Sequence, residues 1–262
     1  MQRIDQQQGG MNREEFRAAL SLSSVYALRM LGLFMILPVF ALYATDLEGV
    51  TPSLTGLAIG IYGLTQAVLQ IPAGLLSDRI GRKPVIVGGL LVFALGSVVA
   101  ALADSMLVVI LGRALQGAGA IAAAIMALAA DLTREQHRIK AMALIGMSIG
   151  LSFALALVLG PVLNDWVGVP GIFAITAVLA LGGILVVLLV VPHPVVSRPH
   201  RVAEAIPAQF GRVLRHTQLL RLDFGILMLH AILTASFVVL PLILRDQAGV
   251  DAGAHWMIYL PV

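Results

Sequence analysis

Apolar runs of about twenty residues recur along the chain, separated by short polar segments. The runs near 19–43, 53–77, 84–103, 106–130, 140–163, 170–191 and 222–244 each match the thickness of a bilayer's hydrocarbon layer. They predict seven membrane-spanning helices. The polar/apolar alternation of a transmembrane barrel strand is absent from the sequence. The first run follows a polar start that ends at Arg17, and it is longer than the apolar part of a cleaved signal peptide, so it predicts a retained span. After Asp251 a further apolar run begins, with Trp256 and Tyr259 placed as interface residues, and this reads as the start of an eighth span.

The segment 192–221 breaks the pattern with Pro192, Pro194, Pro199 and Pro207 and five arginines. It divides the chain into a polar tail (1–18), a bundle of six helices (19–191), a basic linker (192–221) and the beginning of a second bundle (222–262). The expected fold class is an all-α polytopic membrane protein. Within the linker, Phe210–Leu222 sets Val213, Leu214 and Leu220 among arginines, which suits a basic helix on a membrane surface; a solvated linker explains the same residues.

Composition agrees with this picture. Hydrophobic residues make up 59% of the chain, and mean hydropathy is +0.96. With no cysteine, neither a disulfide nor a cysteine metal site is available. The net charge of +3 would allow a nucleic-acid partner, but the charges follow membrane topology instead. One side takes Arg3, Arg13, Arg17, Arg79, Arg82, Lys83, Arg134, Arg138, Lys140, Arg198, Arg201, Arg212, Arg215 and Arg221. The other takes Arg245 together with Asp46, Glu48, Asp104, Asp165, Asp246 and Asp251. The asymmetry predicts a multi-pass protein with a cytoplasmic N-terminus.

The densest charge lies in the hinge Gly74-Leu-Leu-Ser-Asp78-Arg79-Ile-Gly81-Arg82-Lys83, followed by Pro84. Basic residues alone would orient the loop. They do not explain Asp78, which sits at a helix C-terminus where the local dipole disfavours an anion. Nor do they explain Gly74, which allows close helix packing, or Gly81, which allows a tight turn. Pro84 suits the first turn of the next helix.

This Gly-x-x-x-Asp-Arg-x-Gly-Arg-Lys hinge resembles motif A of the major facilitator superfamily. Arg113-Ala-Leu-Gln116-Gly117-Ala-Gly119 resembles its motif B, and Leu159-Gly160-Pro161 resembles part of the antiporter motif C, departing from it at Asn164-Asp165. Leu31-Gly32 and Leu37-Pro38-Val39 are similar to a pattern of drug–proton antiporters. The resemblance implies a fold of twelve spans, of which residues 1–262 would be the N-terminal portion. It also implies that Asp78 meets the N-terminus of a helix in the second bundle and holds the outward-facing state, while Arg82 pairs with Asp131. Proton-coupled efflux of small amphipathic molecules or drugs through alternating access is the activity it leads one to expect. The partners would be the substrate, protons, the bilayer of the bacterial inner membrane and the missing second bundle. The expectation includes no cofactor beyond a proton gradient as the energy source, no metal and no nucleic acid.

Polar residues within the spans are the remaining candidates. Arg113 needs partners or a wet cavity, because a central arginine costs on the order of 2.5–3.5 kcal/mol on insertion scales. The resemblance gives it a part in proton movement; carbonyl groups could equally satisfy it. Arg29 reads as shallower, snorkelling toward the cytoplasm or lining a cavity. Tyr62, Gln66 and Gln70 share one helix face, which should meet a cavity or another helix rather than lipid. Gln116, Met30 and Phe34 complete the cavity candidates. His230 is the histidine well inside a span, so it joins Asp78 and Arg113 as a proton-coupling candidate, with a neutral hydrogen-bonded ring as the alternative. Gly117, Gly146, Gly150, Gly160 and Pro161 are expected at helix contacts.

Two other activities compete: a facilitator of the same fold for a sugar or metabolite, and a fragment or interaction partner that does not transport. An enzyme is not expected, because the sequence has no HExxH or P-loop pattern.

Overall fold

The computed structural model describes residues 10–192, 211 and 215–259. The helices are α1 (Arg13–Phe34), α2 (Leu37–Ala44), α3 (Pro52–Ile80), α4 (Arg82–Ala101), α5 (Met106–Ala118), α6 (Ala122–Leu132), α7 (Arg138–Leu189), α8 (Thr217–Asp246) and α9 (His255–Tyr259). Among the described residues, six stretches are long and apolar enough to cross a membrane. One of them, Glu135–Leu189, holds 55 residues and turns at Gly168, where φ is +68° and Pro170 comes two residues later. It therefore gives two passes. Before Gly168, Ser152 meets Ala27 and Gly160 meets Met35; after it, Thr176 meets Gly32 and Gly183 meets Val25. The direction along α1 reverses between these pairs, as an antiparallel return requires. The chain is an all-α polytopic membrane protein.

Two predicted spans are not continuous helices. Span one divides at Met35 and Ile36, because Pro38 in the first turn of α2 has no N–H to donate and crowds the carbonyl one turn earlier. Span four divides at Gly119–Ile121, between α5 and α6. Each break frees backbone carbonyls inside the bundle. Span one also starts earlier than expected. Asn12 caps α1 by accepting from Glu15 N–H at 2.7 Å, while the Glu15 carboxylate accepts from Asn12 N–H at 2.9 Å. This reciprocal capping box starts the helix at Arg13, so its polar first turn precedes the apolar segment 19–43.

The core lies along α1. Toward the end that carries the basic loops it holds Leu22, Val25, Leu90, Ile125, Leu128 and Val187. Toward the opposite, acidic end it holds Met35, Phe40, Ile59, Met106, Val109 and Phe173. Leu64, Val68, Leu107, Leu151 and Leu185 face outward, as helices in lipid allow. The helix α8 packs differently. Its residues 217–233 are exposed, and Phe237 and Pro241 near its acidic end are buried. The central part of the predicted linker and the residues of its surface-helix segment 210 and 212–214 lie outside the described residues.

Candidate functional site

The hinge is built by two helices meeting at Gly81. Its φ of +97° is the conformation that L side chains rarely adopt, and it lets α3 end and α4 begin without an intervening loop. A Cβ on Gly74 would stand 3.3 Å from Ala123 Cβ, so α3 lies close on α6 there. Arg82 gathers the polar side chains around this turn. Its guanidinium forms an ion pair with Asp78, stands 3.4 Å from Asp131 through Nε, and donates to Ser77 Oγ at 2.7 Å. Ser77 in turn donates to the Gly74 carbonyl at 2.7 Å. Ser77 was not singled out by the sequence, although its position one helical turn before Gly81 places it toward the same guanidinium. Lys83 donates to the Val191 carbonyl at 2.6 Å and ties the hinge to the end of α7. Arg79 is exposed. Asp78, 39% exposed, meets Arg82 of its own hinge; the predicted meeting with a helix of the second bundle lies outside the described residues.

The intramembrane polar residues converge. Arg29 is fully buried midway along Arg13–Ala44, so it does not snorkel. Its Nη2 donates to Gln66 Oε1 at 3.2 Å and to the Gly119 carbonyl at 3.1 Å. That carbonyl is available because the helix breaks there, a feature that lies 90 residues away and is invisible in the local sequence. Arg113 is also buried; its Nε donates to the Ala58 carbonyl at 3.2 Å and its Nη1 to Gln116 Oε1 at 2.8 Å. Gln116 donates onward to Ser97 Oγ at 2.8 Å. Carbonyl and amide groups therefore satisfy Arg113, and Gln116 is an internal strut rather than a cavity-lining residue. Between the two arginines lies Tyr62, with the guanidinium carbons 5.9 and 5.0 Å from its ring centroid; Phe93 covers Arg29 at 5.2 Å. Gln70 is half-buried, and its Oε1 has no hydrogen-bond partner among the described residues.

Other candidates separate. Met30 is core packing, and Phe34 meets Phe153 edge to face with centroids 5.1 Å apart. His230 Nδ1 stands 2.9 Å from the Ile226 carbonyl of its own helix, on an exposed face. A Cβ on Gly117 would collide with Thr65 Oγ1 and the Tyr62 carbonyl, and one on Gly160 with the Met35 carbonyl, so both glycines serve close contacts; Pro161, next to Gly160, is buried. Gly146 and Gly150 are a correction: both are exposed, and nothing described lies within 4 Å of an added Cβ. Their spacing marks a small-residue stripe without a neighbour against it among the described residues.

A further cluster went unread in the sequence. Glu15, 3% exposed, accepts from Arg134 N–H at 2.9 Å, Arg134 Nε at 2.8 Å and Arg134 Nη2 at 3.0 Å, and lies 3.3 Å from His137 Nδ1. The Arg134 hydrogen bonds hold its carboxyl down to about 2. The N-x-x-E capping pattern at Asn12–Glu15 was the available signal.

The matched sequence pattern decides the family. That of the Major Facilitator Superfamily covers residues 22–262. The chain belongs to this superfamily. It is 55% identical to the inner membrane transport protein YajR of Escherichia coli strain K12 over 95% of its length, and spans 55% of that relative. It is 30% identical over 91% of its length to the multidrug resistance protein MdtH of Aeromonas salmonicida, spanning 59% of it. In structure, a bacterial homolog of the human lysosomal transporter Spinster, in an inward-facing and unoccupied conformation, matches with a TM-score of 0.76 at 17% identity, over 96% of this chain and 60% of that one. The superfamily reading of the hinge and of the segment after Arg113 thus rests on the whole chain and not on motifs alone.

Proposed function

We propose that the chain acts in proton-coupled export of small amphipathic molecules by alternating access, in a bacterial inner membrane with its N-terminus in the cytoplasm. The observation that carries this reading is the Asp78–Arg82–Asp131 network at the α3–α4 hinge, on the side of the basic loops, where its carboxylates can respond to the relative position of two helical units. The charge asymmetry supports that side being cytoplasmic. Asp78, Arg113 and His230 remain the candidates for proton coupling. The relatives YajR and MdtH, a transport protein and a multidrug resistance protein by name, support the reading.

Everted membrane vesicles containing the gene product test it. With the interior acidified by respiration, fluorescent amphipathic dyes should accumulate, each addition should dissipate part of the pH gradient, and an uncoupler should abolish both effects. Accumulation that is indifferent to the uncoupler would exclude proton coupling.

A further inference from the structure

We propose that Arg29, with Arg113 behind it, binds the carboxylate of a small organic acid. Both guanidiniums are buried at membrane depth, 0% and 2% exposed. Every acid among the described residues lies in a loop, within two turns of a helix end or, for Asp165, beside the Gly168 turn of α7, so none stands at the depth of this pair. The acceptors that Arg113 uses, the Ala58 carbonyl and Gln116 Oε1, are neutral, as are the Gln66 and Gly119 oxygens that share Arg29 Nη2. Neutral oxygens satisfy hydrogen bonds without balancing two positive charges in a medium of low dielectric.

The two arginines differ in what they leave open. Nε and Nη1 of Arg29 have no hydrogen-bond partner among the described residues, and neither has the hydroxyl of Tyr62, whose ring both guanidiniums face. Two charged donors and a phenol hydroxyl in one buried neighbourhood match the acceptor set of a carboxylate. Around them lie Tyr26, Met30 and Phe93 of the apolar core, a setting that suits the body of an organic acid better than a hydrated inorganic ion. Gln66, half-buried on α3, accepts from Arg29 Nη2. A cation would meet two uncompensated positive charges, so the site selects against amines of the same shape.

This proposal deepens the transport reading by naming a substrate class, and it is tested without a gradient so that the two can fail separately. The protein expressed from its own complete reading frame is purified in detergent and titrated with benzoate, benzyl alcohol and benzylamine by calorimetry. Benzoate should bind saturably, and the alcohol and the amine should not. Arg29→Gln should weaken benzoate by roughly ten- to a hundredfold, the worth of charge-assisted hydrogen bonds. Because that variant could fail to fold, Gln66→Glu provides a second arm. It places an anion of nearly unchanged shape beside Arg29 Nη2 and should abolish benzoate binding while melting no lower than wild type. Equal binding of the three probes, undiminished benzoate binding in Gln66→Glu, or displacement of benzoate by equimolar chloride would overturn the proposal. Any of these would leave proton-driven export of other molecules standing.

Discussion

At the scale of single residues, Glu15 shows how one side chain fixes a structural start. Its carboxylate takes donors from Asn12 and Arg134 and faces His137, so it joins the first turn of α1 to the segment after α6. Glu15→Gln should destabilise the protein by about 1.5–3 kcal/mol, the range for hydrogen bonds to a charged group. The sign of its pH dependence comes from a carboxyl held at about 2 against an ordinary value of 4.5. Because the folded-state value is the lower one, the contribution is complete above pH 4.5 and is lost as pH falls from 4.5 toward 2. Melting curves of wild type and Glu15→Gln in detergent should therefore differ by a constant amount above about pH 5 and converge in acid. The glycines give a second comparison. Gly117→Ala forces a methyl group into Thr65 and the Tyr62 backbone and should cost about 1–3 kcal/mol, whereas Gly146→Ala meets nothing among the described residues and should melt close to wild type. The sequence presents these two glycines alike, since a small residue at a helical spacing does not say which neighbour faces it. Arg29 was legible as a polar residue in a span but not as a buried one. Its partner depends on a helix break at Gly119, 90 residues away.

At the scale of elements, the spans were legible because their length is set by the bilayer and their composition by lipid. Their interruptions were less so. Pro38 announces a break near the end of span one, but the break at Gly119–Ile121 depends on contact with Gly89 and Phe93 of α4, which no local pattern reports. The hinge lies between these cases. Its glycines and charges were readable, and the pair Arg82–Asp131 was implied by the family resemblance; the part taken by Ser77 came from the coordinates. Because Arg82 also holds Asp78 and Ser77, the two ends of its link to Asp131 should not be equivalent. Arg82→Gln should destabilise more than Asp131→Asn, since it leaves both carboxylates without their cation, whereas Asp131→Asn leaves Arg82 paired with Asp78. In a double-mutant cycle the two substitutions should couple by about 0.5–3 kcal/mol. Equal single losses in thermal unfolding would mean that Asp78 and Ser77 contribute nothing to holding Arg82.

At the scale of the whole molecule, the contact between α8 and the first bundle is an aromatic row. Phe34 meets Phe153, Phe153 meets Phe237 at 6.1 Å, and Phe237 meets Tyr259 at 6.2 Å, so α1, α7, α8 and α9 are joined toward the acidic end. Leu37 and Leu244 pack against the same cluster. Among the described residues nothing comparable covers residues 217–233 of α8. Rings give this contact a large area with few rotatable bonds and no hydrogen bonds to break, which would suit the separation and re-forming that the proposed alternating access requires. The sequence contains no cysteine, so introduced pairs can be read without background. Leu37→Cys with Leu244→Cys should form a disulfide readily under mild oxidation, while Ser24→Cys with Leu227→Cys, a similar distance along the two helices but toward the basic end, should not. Adding Phe237→Ala to the first pair removes the ring that bridges Phe153 and Tyr259, and should lower the cross-linking yield and raise that of the second pair as the two units rock the other way. If both yields stay unchanged while the protein remains folded, the aromatic row is packing that accompanies the closed arrangement rather than the contact that maintains it.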